Sequence, residues 1–255
     1  LQKLAKAGAV VLAATATVAA TALVSLSTKA VQCYADYEQL VGGVETLFGA
    51  GGQSIEEYAE SVGKSVDDVS DEYNNLMKAQ DAVIDHANKA YETAGLSANA
   101  YMETVTSFSA ALISSLDGDT VKAAEVADKA IVDMSDNANK MGSSMESIQN
   151  AYQGFAKQNY TMLDNLKLGY GGTKEEMQRL LDDAGKLANQ KFDLSSYADI
   201  VEAIHVVQEN MGIAGTTAKE AATTIQGSIG MMKASWTNFV TGLADENADL
   251  STLMD

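Results

Sequence analysis

The sequence predicts an all-α protein, a multi-helix bundle that glycines punctuate and that contains no sheet. Three observations lead to this prediction. None of the 255 residues is proline, whereas an average usage of about 5% would supply roughly 13, and proline is the residue that breaks helices. Apolar residues recur at spacings of three and four, the period of one helical face. No segment alternates apolar and polar side chains as a half-buried strand does.

The first element is an uncharged apolar segment, residues 7–28. As a helix its 22 residues would extend about 33 Å, the thickness of the hydrocarbon core of a bilayer. Lys3, Lys6 and Lys29 are the only charges before Asp36. Three interpretations are open: a secretory signal, a transmembrane helix, or a helix buried in protein, where small side chains let other helices approach. The candidates for membrane contact are Val10, Val11, Leu12, Val18, Leu23, Val24 and Leu26.

Capping residues predict where the later helices begin. The first helix is expected to end near residue 47, before a glycine cluster, so the chain divides into an apolar N-terminal helix (1–50) and an acidic helical domain (54–250). Ser54 with Glu57 and Thr173 with Glu176 have the spacing of a capping box, in which side chains satisfy backbone N–H groups at a helix start. Other predicted helix starts are Ser65, Ser97, Asp119, Ser143 and Thr217.

A heptad-like pattern follows residue 143. Its apolar positions predict one continuous helix with a single seam, and one asparagine on such a seam often fixes the register at some cost in stability. The seam residues are Ile148, Tyr152, Phe155, Asn159, Met162 and Leu166.

The composition excludes several classes of function. The net charge is −18 and Arg179 is the only arginine, which argues against specific nucleic-acid binding. A single cysteine, Cys33, cannot form an intrachain disulfide. His86 and His205 are the only histidines, and both are interpreted as ordinary helix residues because neither belongs to a metal-binding motif. We therefore predict no catalytic residue, no cofactor, no metal and no enzymatic activity.

A specific pattern occurs near the C-terminal end. A Gly-Ser pair is followed by Met-Lys, by Trp-x-Asn-Phe and by the sequence GLAD, and it comprises Gly227, Ser228, Met232, Lys233, Trp236, Asn238, Phe239 and Gly242. This pattern resembles that of phage tail tape-measure proteins. Residues 33–49, 94–101 and 126–181 are also similar to that family. Members are usually longer, and the chain does not begin with methionine, so we expect it to be the N-terminal conserved part of a larger product.

The resemblance implies a structural tail protein of a phage or of a phage-derived particle. Such a protein is the template that sets tail length during assembly, and it aids DNA ejection through the host membrane. The implied partners are the tail tube protein, baseplate or tail-initiation proteins, tail assembly chaperones, further copies in the tail lumen and the host membrane. The implied location is the virion, after assembly in the host cytoplasm. The alternative is a membrane-anchored or secreted helical bundle, similar to a sensor, with residues 7–28 as anchor or signal.

Overall fold

The computed structural model describes residues 29–223 and 225–242. Within these ranges the predicted all-α fold is confirmed, because they form ten α-helices and one 3₁₀ helix and contain no strand. The 3₁₀ helix is Leu163–Leu166. The α-helices are α1 (29–48), α2 (Ile55–Val62), α3 (Val66–Thr93), α4 (Ala98–Ser115), α5 (Thr120–Met141), α6 (Met145–Phe155), α7 (Lys174–Ala188), α8 (Tyr197–Asn210), α9 (Thr216–Thr223) and α10 (Ile225–Gly242).

Side-chain caps begin most helices where the sequence predicts them. Ser54 and Glu57 form the predicted capping box, in which the Ser54 N–H donates to the Glu57 carboxylate at 2.9 Å. The prediction for α6 is wrong by one residue: its N-cap is Ser144, because the Ser143 hydroxyl instead donates to the carbonyl of Asn165 at 2.6 Å. The N-caps of α3, α4, α5 and α7 are the predicted Ser65, Ser97, Asp119 and Thr173.

One continuous hydrophobic core joins the helices. α3, α4 and α5 pack against one another, α8 packs against α4 and α5, and α7 packs against α8. Val44 and Phe48 of α1 are fully buried in the same core as the later helices. For the described part of α1, the turn at residues 49–54 is therefore a connection within one core and does not separate two cores.

The predicted continuous seam helix is wrong. α6 ends at Phe155, and the chain then folds back, with the Asn159 N–H donating to the Gly154 carbonyl at 2.9 Å. Gln158 has a left-handed φ of 56°, which interrupts a right-handed helix. Among the predicted seam residues, Ile148, Tyr152, Phe155 and Leu166 are buried, whereas Asn159 and Met162 are exposed.

The region predicted as one last helix from Thr217 is described as two helices, α9 and α10, on the two sides of residue 224. α10 packs against α9, α3 and α4. No helix in the described ranges has both the length and the apolar character that crossing a membrane requires. The predicted apolar segment, residues 7–28, with its candidate membrane residues, lies outside the described residues.

Candidate functional site

The glycine-rich loop before α7, residues 168–172, forms hydrogen bonds with side chains of α7. The Gly171 N–H donates to the Glu176 carboxylate at 3.0 Å, and Arg179 donates to the same carboxylate at 2.6 Å and to the Gly169 carbonyl at 2.8 Å. A phosphate-binding loop needs free N–H groups, and here a carboxylate takes one of them. Across the described ranges, no cluster of three or more His, Cys, Asp or Glu side chains could hold a metal ion.

The most unusual feature of the core is a group of polar side chains on α5, which we call the polar junction: Asp133, Asp136 and Asn137. None of the three is more than 1% exposed. Their spacing of three and four places them on one face of α5. Burying a polar group costs free energy unless it is hydrogen-bonded, and each of the three side chains bonds to a different part of the chain.

Asp133 pairs with His205 of α8. The His205 Nδ1 lies 2.9 Å from both carboxylate oxygens of Asp133. This hydrogen bond is the main cause that raises the pKa of His205 above its ordinary value, although partial burial opposes it. Burial raises the pKa of Asp133, and the bond from His205 acts against that rise. His205 lies in a helix as predicted, but its pairing with Asp133 was not predicted.

Asp136 caps the start of α9. Its carboxylate accepts the N–H of Gly215 at 2.5 Å and the N–H of Thr217 at 2.7 Å. The first N–H groups of a helix have no partner within the helix, and a carboxylate at that end also interacts favourably with the helix dipole. One fully buried side chain of α5 therefore fixes where α9 begins, at Thr216, 80 residues further along the chain.

Asn137 holds the 3₁₀ helix against α5. Its Nδ2 donates to the Leu166 carbonyl at 2.9 Å. Lys167, the next residue, donates from Nζ to the carbonyls of Met141 at 3.0 Å and Gly142 at 3.2 Å, which lie at the C-terminal end of α5. A lysine at this end also favours the negative end of the helix dipole.

The family-like pattern on α10 has an inner and an outer face. On the inner face, Asn238 accepts the Ala98 N–H at 2.9 Å and so satisfies one N–H at the start of α4. On the outer face, Met232 is 64% exposed and Trp236 is 53% exposed. The Trp236 ring lies 5.3 Å from that of Phe239. Lys233 is exposed, and Gly242 ends the helix. Gly227 and Ser228 also lie within α10.

The two ends of the described chain meet at the start of α4, a place that we call the terminal corner. Asn99 donates from Nδ2 to the carbonyl of Cys33, on α1, at 3.0 Å. The preceding residue, Ala98, donates to Asn238 on α10 at 2.9 Å. Two neighbouring residues of α4 therefore hold the start of the described α1 and the last turn of α10.

Comparison with known proteins does not assign the chain to a family. No protein-family model matches it, and neither a curated protein nor a solved structure does. The resemblance to tape-measure proteins therefore stays a prediction from the sequence pattern.

The Asp133–His205 pair makes stability depend on pH. Because the folded-state pKa of His205 is raised above 6.5, its contribution is fully present below about pH 6.5 and is lost as pH rises through the raised pKa. The raised pKa of Asp133 acts with the same sign at lower pH: burial disfavours its charged form, so its contribution is lost as pH rises from about 3.8 through the raised pKa. We expect the unfolding free energy to fall as pH rises above about 6.5, by on the order of 1 kcal/mol, the net size of a typical hydrogen bond.

Urea denaturation of the wild type, His205→Gln, Asp133→Asn and the double variant measures this dependence. Either single variant should remove most of the decrease, and the double variant should behave like the singles, because the pair titrates as one unit. An equal decrease in the wild type and in His205→Gln would contradict the assignment.

Proposed function

We propose that the chain is the N-terminal conserved part of a tail tape-measure protein of a phage or phage-derived particle. In this proposal it has no enzymatic activity. It acts as the template around which tail tube subunits assemble, and it aids DNA ejection through the host membrane.

The observation that carries the proposal is the position of the residues that resemble the family. The segment 126–181 contains the whole polar junction, whose side chains join α5 to α8, α9 and the 3₁₀ helix. The pattern on α10 contains Asn238, which joins α10 to α4. The segments that resemble the family thus include the polar residues that join these helices, and composition alone does not produce such residues at buried helix contacts.

The terminal corner supports the same proposal. The apolar segment 7–28 enters the described bundle through the start of α1, a few residues before Cys33, and the chain after α10 leaves a few residues beyond Asn238. A membrane-active segment on one side and a long helical continuation on the other would therefore attach at one end of the bundle. The continuation would act as the ruler, because a helix converts residues into distance at about 1.5 Å each.

The partners and location follow from that role. The proposed partners are the tail tube protein, the baseplate or initiation proteins, the assembly chaperones and other copies in the tail lumen. The net charge of −18 means that the protein repels rather than retains the entering DNA. The proposed location is the tail lumen, and the host membrane at infection.

Tail length tests the proposal. Inserting about 100 residues of helical sequence into the continuation beyond residue 255 of the proposed product should lengthen tails by about 150 Å, measured by electron microscopy. The control replaces a helical stretch by another of equal length and should leave the tail unchanged. Unchanged tails after the insertion would remove the ruler role. Recovery of the protein only from host envelopes, and not from particles, would favour the membrane-anchored sensor.

A further inference from the structure

The outer face of α10 is unlike the rest of the surface. Met232 and Trp236 lie four residues apart on this face, and α10 carries one charge, Lys233, and no carboxylate, in a chain with 35 acidic residues. Three large hydrophobic side chains of the described residues are more than half exposed: Met232 at 64%, Val31 at 63% and Trp236 at 53%. All three lie on α1 or α10, the helices that meet at the terminal corner.

We infer that the apolar segment of residues 7–28 docks on the outer face of α10 in the same chain, and that Trp236 and Met232 are its principal contacts. The chemistry of both surfaces fits, because the segment has no charge and the face of α10 offers apolar side chains beside a single cation. Burial of exposed apolar surface on both sides stabilises the contact, and large exposed apolar patches commonly mark interaction sites.

The place of attachment favours this occupant over others. Four residues (29–32) separate the segment from Cys33, whose carbonyl is held at the terminal corner, where Asn238 is also bound. Trp236 and Met232 precede Asn238 by two and six residues, which is at most about 9 Å along the helix. Such a short connection gives the segment a local concentration in the millimolar range. To compete for the face of α10, a second copy of the chain would need a millimolar concentration in solution.

The residues after α10 are a poorer occupant of the same face. Residues 243–255 contain four carboxylates, Asp245, Glu246, Asp249 and Asp255, and burying unpaired charge against apolar side chains costs free energy. The docking proposal does not depend on the proposed tail function, because it concerns only contacts within the folded chain. It gives that function a storage site in which the segment is kept from water before ejection.

Trp236 is the only tryptophan, so its fluorescence reports on its own surroundings in the full chain. The test variant is Leu12→Asp with Val18→Asp, which puts two charges in the segment. We expect its emission to move to longer wavelength and acrylamide to quench it more strongly than in the wild type, because the indole ring becomes exposed to water.

The matched control is Met162→Asp with Leu187→Asp. It adds the same two charges at exposed positions, 39% and 49% exposed, away from α10, which packs against α9, α3 and α4. The control should leave the emission unchanged. Identical Trp236 spectra in the test and control variants would overturn the proposal.

Cross-linking identifies the occupant independently of any loss of folding. In a Cys33→Ser background, Met232→Cys is combined in turn with Val10→Cys, Ala14→Cys or Val18→Cys and treated with a short bismaleimide. At least one pair should give an intrachain product at the monomer mass. Products only at twice that mass would show that a second copy covers the face, and no product from any pair would show that the segment lies elsewhere. Either result overturns the proposal, whatever the tail-length experiment shows.

Discussion

Replacing Asp136 by alanine is expected to lower the free energy of unfolding by about 2–4 kcal/mol. The carboxylate is fully buried and accepts the N–H groups of Gly215 and Thr217 at 2.5 and 2.7 Å. The substitution removes the acceptor of both N–H groups and a favourable charge from the start of α9, so the two costs have the same sign. Urea denaturation followed by far-UV circular dichroism measures the change.

Two further variants separate the stabilisation that comes from capping α9 from the general effect of losing a carboxylate. Asp136→Asn keeps one acceptor oxygen without the charge, and its loss of stability should be intermediate. Asp71→Ala removes an exposed carboxylate of α3 and should change stability by less than about 0.5 kcal/mol. Hydrogen exchange should show the largest loss of protection at residues 215–223. If Asp136→Ala were no more harmful than Asp71→Ala, the cap would contribute nothing.

The sequence was sufficient to predict the fold class and most helix starts. Both depend on local physics: helical periodicity is a property of neighbouring residues, and a cap such as Ser54 satisfies N–H groups three residues away. Proline also acts locally, because it breaks only the helical turn in which it lies, so its absence favours helices everywhere in the chain. These features need no knowledge of which helices touch.

The interruption after α6 shows where local reasoning failed. A heptad pattern that includes Asn159 reads as a seam with one polar register residue. In the structure the Asn159 side chain instead accepts the Thr161 N–H at 3.1 Å, a turn-forming bond that competes with the helix. Gly154 allows the chain to fold back, because a Cβ there would approach the Asn159 carbonyl to 3.0 Å. The sequence pattern is compatible with an asparagine on a helical seam and with an asparagine in a turn. Only the three-dimensional structure distinguishes the two.

The polar junction could not be predicted from spacing because its partners are distant in sequence. Asp133 and His205 are 72 residues apart, and Asp136 and Thr217 are 81 apart. One available indication was the run of polar residues around Asp136 on a helix whose neighbours Ile131 and Met134 are fully buried. Burying an acidic side chain costs free energy unless it has a hydrogen-bonding partner. The run therefore indicated that a partner is needed, but this indication was not used and would not have identified the partner.

Replacing Phe48 by alanine is expected to release α1 from the bundle, at a cost of about 3–5 kcal/mol for deleting a buried aromatic side chain. Phe48 and Val44 are fully buried at the C-terminal end of α1, whereas much of the helix before them is exposed or half-buried. The start of the described α1 is held at the terminal corner by the bond to the Cys33 carbonyl. Because Phe48 is the largest fully buried side chain of α1, removing this aromatic anchor should open the helix before the rest of the bundle.

Hydrogen exchange with mass spectrometry distinguishes this local opening from global unfolding. In Phe48→Ala, residues 29–48 should lose protection more than α3, α4 and α5, which retain their contacts with one another. The matched control on the same helix is Val31→Ala, whose side chain is 63% exposed and should leave protection unchanged. Equal loss of protection in α1 and in the central helices would mean that α1 folds with the core as one cooperative unit. A selective loss would instead establish α1 as the element whose release frees the apolar segment that precedes it.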